Sequence, residues 1–113
     1  MHFDVVFHMD QDAAALNMAL TNITNYFDAL IQEDFTAVLL VNGPAIRLMT
    51  AAGEHAASIG ALAARGLRVR VCRNAMRHFD VAPEALLPAC EIVPAGVVEL
   101  VDLQDKGFAY IKP

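Results

Sequence analysis

Apolar and polar positions along the 113-residue chain fall into blocks whose period switches repeatedly. Residues 3–8 (FDVVFH) are a short apolar run with β-branched members, the pattern of a buried strand. Met9-Asp10-Gln11-Asp12 reads as a turn, with Asp10 or Asp12 placed to cap a helix. Leu16, Ala19, Leu20, Ile23, Tyr26, Phe27 and Leu30 then recur at steps of three and four, one stripe of a helix reaching about residue 32. Residues 35–41 (FTAVLLV) are apolar on both faces, as in a parallel sheet covered on each side. Asn42-Gly43-Pro44 opens a helical stretch to residue 50, which breaks around Gly53, resumes at 55 and stops at Gly66. Residues 67–72 read as the third strand, 74–79 as a short helix, and 83–87 as a helical turn started by Pro83. Residues 90–93 are the fourth strand and 108–111 the fifth. Between them lies a helix over 95–106, with Val97, Val98, Leu100, Val101 and Leu103 as its apolar side.

This alternation predicts one domain over residues 1–113, a three-layer α/β/α sandwich around a five-stranded parallel sheet. Ligands in such folds bind beyond the carboxyl ends of the strands. Position alone nominates His8, Asn42, Gly43, Cys72, Arg73 and Asn74.

Composition narrows the classes. A hydrophobic fraction of 57% exceeds what one small core hides, which favours a homo-oligomer. The net charge of −5 argues against general nucleic-acid binding. No apolar run is long enough to span a membrane, and the residues from Met1 onward lack a signal-peptide pattern. Cys72 and Cys90 form no CxxC and no metal-ligand pairing with histidine, so no metal is expected, and a reduced, cytoplasmic setting is the simplest reading. No GxGxxG or GK[ST] motif calls for a nucleotide, and no cofactor is expected.

Charge distribution points to one stretch. Arg65, Arg68, Arg70, Arg73 and Arg77 crowd together, and no acid occurs between Glu54 and Asp80. Within this stretch Cys72 ends a strand just before a helix, where partial positive charge favours a thiolate able to attack sulfur. The alternative is a small half-buried residue at the edge of the core. Cys90 reads as an apolar filler, or as a resolving thiol if it lies close to Cys72. His8 is placed to hydrogen-bond the thiol or to satisfy a strand end. His78 is expected on another face of its short helix, and His2 and His55 on the surface.

Five segments together resemble the DsrE/DsrF-like family over nearly the whole chain. They are VVFH, NMALTNITNYFDAL, VNGPAIRL, LAARGLRVRVCRNAMR and LLPACEIVPAGVVELVDLQDKGFAYIKP. The resemblance implies a five-stranded parallel sheet between helices, oligomers that are commonly trimers or hexamers, and a link to intracellular sulfur metabolism. In the sulfur-relay members a cysteine carries sulfane sulfur as a persulfide and passes it to a partner protein. The cysteine of VRVCRNAMR stands in the corresponding place, so the resemblance implies a sulfur-carrier or sulfurtransferase role for Cys72. A reading of another class is a non-catalytic oligomeric subunit that binds a small ligand or partner, with Cys72 structural.

Overall fold

In the computed structural model, which describes residues 2–113, the five strands make a single parallel sheet in the order β4-β3-β2-β1-β5. Met1, where the sequence read as lacking a signal peptide, lies outside the described residues. The strands are β1 (Val5–Met9), β2 (Ala37–Val41), β3 (Arg68–Cys72), β4 (Cys90–Val93) and β5 (Ala109–Ile111). The α-helices are α1 (Ala13–Ala29), α2 (Ala56–Ala64), α3 (Arg73–His78) and α4 (Gly96–Asp105).

Chain direction explains the layers. From β1 to β4 the strands are laid down steadily toward one edge. Right-handed crossovers running one way place their helices on one face. Leu16, Ala19 and Ile23 of α1, Ile59 and Leu62 of α2, and Ala75 and Met76 of α3 accordingly share a core with Val5, Phe7, Leu39, Val41, Val69 and Val71. The last connection reverses, carrying the chain from β4 back past β1 to β5. It therefore lies on the opposite face, where Leu100 and Leu103 of α4 pack on Val6, Val38 and Leu40. Valine and leucine on both faces of β2 follow from this double cover.

Several expected boundaries move. Asp12 caps α1 through a bond from the Ala15 amide, but the helix ends at Ala29 rather than residue 32. Its buried stripe has run out by then, and Ile31 stands in solvent. Strand β2 begins at Ala37 rather than 35, because Phe35 turns into an aromatic cluster with Tyr26 and Phe27. The helix expected up to residue 50 is a tighter 3-10 helix, Gly43–Leu48, and the expected turn at 83–87 is a 3-10 turn, Pro83–Ala85. Thr50 instead bridges to Leu86.

Two surface expectations also change. His55 is only 6% exposed and bonds through Nε2 to Asn17 Oδ1 at 2.9 Å. It stands at the start of α2 against α1, where that one partner satisfies the ring nitrogen. On α4 only Leu100 and Leu103 face the sheet, while Val97, Val98 and Val101 are 63%, 66% and 68% exposed. One helix resting on a sheet buries one stripe, and five apolar residues exceed it.

Candidate functional site

The reversal of chain direction sets the site. The link after β3 leads into α3 on one face, and the link after β4 leads into α4 on the other. Adjacent strands whose connections part in this way open a crevice at their carboxyl ends. Cys72 ends β3 and pairs in register with Val93, the end of β4. The thiol residue therefore sits at the switch point of the sheet.

An open cavity of about 420 Å³ occupies this crevice. Cys72 lines it with Asn42, Gly43, Asn74, His78 and Gly96, among others. Three helical segments begin around it. Asn42 precedes the Gly43–Leu48 helix, Cys72 precedes α3, and Ala95 precedes α4. No side chain caps any of the three. Helix starts present backbone N–H groups and partial positive charge, so their convergence favours an anion in the cavity. Cys72 itself is extended (φ −77°, ψ 119°) and its side chain makes no capping bond, which leaves the sulfur uncommitted.

Glycine is required at two places here. Gly43 has φ 58°, and a Cβ on it would lie 3.3 Å from the Asp10 carbonyl oxygen. Gly96 permits close approach of α4, since a Cβ there would stand 3.2 Å from Asn42 Cβ and 3.3 Å from Cys72 Cβ.

His8 reaches the cavity through a neighbour. Its Nε2 lies 2.8 Å from Asn42 Oδ1, and its Nδ1 meets the Tyr110 hydroxyl at 2.5 Å. Nε2–H donating to Asn42 and Tyr110 donating to Nδ1 satisfy both ring nitrogens in the neutral form. The chain β5–β1–β2 thus holds Asn42 in place at the cavity wall.

Of the positions nominated from sequence, Cys72, Asn42, Gly43 and Asn74 share the cavity. Arg73 does not: it lines a separate cleft with Met76 and Arg77. His78, expected on another face, lines the cavity. The arginine cluster disperses. Arg65 pairs with Asp28, Arg68 with Glu91 and Arg70 with Glu99, all on neighbouring elements. A different arginine, Arg47, lies over the Phe79 ring at 4.6 Å, and Phe79 lines the cavity. Ala95, Gly96 and Val97 also line the cavity; they follow β4 directly, and the strand-end rule applied to β4 would have found them. Tyr110 could not be found that way, because only the strand order sets β5 beside β1.

Cys90 belongs elsewhere. It pairs with Val69, three residues before the Cys72–Val93 pair, or roughly 10 Å along the sheet. It packs against the larger core, and burial pushes its thiol up to about 11, partly offset by a backbone hydrogen bond at Leu87. Placement and ionisation both make it a filler rather than a resolving thiol. Among the described residues, no His, Cys, Asp and Glu side chains cluster in a way that would hold a metal.

Fold and crevice define a small α/β protein with a cysteine-lined pocket at the switch point of a parallel sheet. The DsrE/DsrF-like family model matches residues 2–113, and the chain belongs to that family, which broadly relates to sulfur metabolism. Among solved structures, a protein of unknown function, MTH1491 from Methanobacterium thermoautotrophicum, is similar at 25% identity with a TM-score of 0.91, over 98% of this chain and 99% of that one. The ychN protein from E. coli is similar in fold at 15% identity with a TM-score of 0.74, over the full length of both chains. No curated protein matches the sequence.

Proposed function

We propose that the protein is a sulfur carrier of the sulfurtransferase type, in which Cys72 accepts and donates sulfane sulfur as a persulfide. The observation that carries this reading is the placement of Cys72 where three uncapped helix starts meet an open cavity. The Cys72 thiolate attacks the outer sulfur of a donor persulfide. A new sulfur–sulfur bond forms at Cys72, the donor's own sulfur–sulfur bond breaks, and the donor leaves as a thiolate. An acceptor thiolate then takes the outer sulfur and releases the Cys72 thiolate. Two equivalent exchanges leave the protein unchanged and need no external oxidant. Three helix starts border the cavity in which the persulfide would sit. His8, through Asn42, keeps the wall of the cavity in place, and Asn74 shapes its mouth.

The carrier works as a homo-oligomer, a trimer or hexamer, with a donor or acceptor protein as its other partner. Support for self-association comes from the exposed Val97, Val98 and Val101, and Val97 also lines the Cys72 cavity. A neighbouring subunit on α4 would border the thiol. The cytoplasm suits this role, since both cysteines are free and the carrier thiol must stay reduced.

A second reading takes Cys72 as packing within an oligomeric subunit that binds a small ligand or partner. It is favoured by the 7% exposure of Cys72 and its membership of the larger core. Mass spectrometry after incubation with a sulfane-sulfur donor separates the two. The carrier gains one sulfur on the wild-type chain and none on Cys72→Ser. No gain on the wild type, or equal gain on Cys72→Ser, overturns the carrier reading.

A further inference from the structure

Arg73 and Arg77 stand one helical turn apart on α3 and flank a cleft of about 240 Å³ whose other walls are Met76, Val81, Pro83 and Ile92. This cleft shares no lining residue with the Cys72 cavity. Its arginines differ from the rest of their cluster. Arg65, Arg68 and Arg70 each hold a carboxylate, whereas among the described residues neither Arg73 nor Arg77 has one within ion-pair distance. Like charges at this spacing repel, and Arg73 lies in the first helical turn, the end where a cation is disfavoured. Both arginines are exposed, yet the surface between them is apolar and Met76 is buried. No acid lines the cleft, in a chain of net charge −5.

We propose that this cleft binds a small monocarboxylate, with the head held between the two guanidinium groups and a short aliphatic body on Met76, Val81, Pro83 and Ile92. Guanidinium forks match carboxylate geometry and gain from charge-assisted hydrogen bonds, while the apolar walls take the chain. The volume is below the range of drug-sized pockets, which fits a short acid rather than a large ligand.

Titration with hexanoate, followed by NMR at the methyl groups of Met76, Val81 and Ile92, tests the proposal. Saturable shifts confined to these residues are expected, with a Kd of about 1 mM. Acetate, which lacks the body, and 1-hexanol, which lacks the charge, should each bind about tenfold more weakly or worse. Arg73→Gln and Arg77→Gln, both at exposed positions, should keep the folded spectrum and weaken hexanoate by about tenfold each. Binding of hexanol as tight as hexanoate overturns the proposal. So do unchanged affinity in both arginine variants, and hexanoate shifts that appear only at the Cys72 cavity or nowhere.

Discussion

Gly96 at the start of α4 lies against Cys72, with room between the two Cβ positions for only 3.3 Å. A methyl group there would also press on Leu40 Cδ1 and Asn42 Cβ, each at 3.2 Å. Every one of these contacts is tighter than ordinary packing, and Leu40 and Cys72 are buried with little freedom to yield. Gly96→Ala therefore carries an overpacking cost of about 1–3 kcal/mol, against which helix propensity returns up to about 1 kcal/mol. Denaturant unfolding should show a net loss of about 1 kcal/mol. The same variant should slow alkylation of Cys72, because the added methyl stands on the cavity wall 3.3 Å from the Cys72 Cβ. Unchanged stability and unchanged alkylation together would mean that α4 moves freely over the thiol.

Two arginine pairs on one strand should differ in worth. Arg70 Nη1 and Glu99 Oε1 are 2.8 Å apart, with side chains only 17% and 20% exposed. Arg68 and Glu91 are about half exposed. Glu99→Ala leaves a largely covered guanidinium, with Glu91 3.9 Å away as its remaining partner, and should cost about 1–2 kcal/mol. Arg68→Ala breaks a solvated pair and should cost about 0.5 kcal/mol or less. Chemical denaturation of both variants checks the ranking, which would be reversed if strand position outweighed burial.

These pairs also mark what the sequence could and could not reveal. The order of strands and helices was legible because apolar periodicity depends on local neighbours, as in FTAVLLV and the Leu16–Ile23 stripe. The rim positions His8, Asn42, Gly43 and Cys72 followed from strand ends alone. The arginine cluster misled, since the acids that neutralise it arrive from α1, β4 and α4 rather than from nearby sequence. The reversal after β4 was equally hidden, because strand order is a property of long-range pairing. With it went Tyr110, and the placement of Arg73 in a cleft of its own. His55 read as a surface residue because its partner, Asn17, lies 38 positions away.

Cys90 should make stability depend on pH in the alkaline range. Its thiol is raised from 9.0 to about 11 in the fold by burial. The folded chain therefore keeps a proton that the unfolded chain releases first. Its contribution is fully present below the unfolded value and is lost as pH rises through the folded one. Across that window wild-type stability should fall by about 2 kcal/mol more than that of Cys90→Ala. Urea unfolding of both chains between these pH values gives the difference, and parallel curves would show that the thiol is solvated. The same shift predicts slow chemistry. On Cys72→Ser, alkylation of Cys90 at mildly alkaline pH should run at about a tenth of the rate of a free thiol or less, since the scarce thiolate is only partly offset by its higher nucleophilicity.

The valines left outside on α4 give the sharpest test of assembly. Val98 and Val101 lie one turn apart and are about two-thirds exposed. A charge at either position meets only solvent in an isolated chain, so Val98→Glu and Val101→Glu should change the unfolding free energy of a monomer by about 0.5 kcal/mol or less. Between subunits the same carboxylate would be buried without a partner, a far larger penalty. Sedimentation of the wild-type chain should therefore give a trimer or hexamer, and either variant should shift it to the monomer while the circular dichroism spectrum stays native. A wild-type chain that sediments as a monomer removes the proposal of self-association. An oligomer that survives both substitutions places the contact on another face, away from the Cys72 cavity.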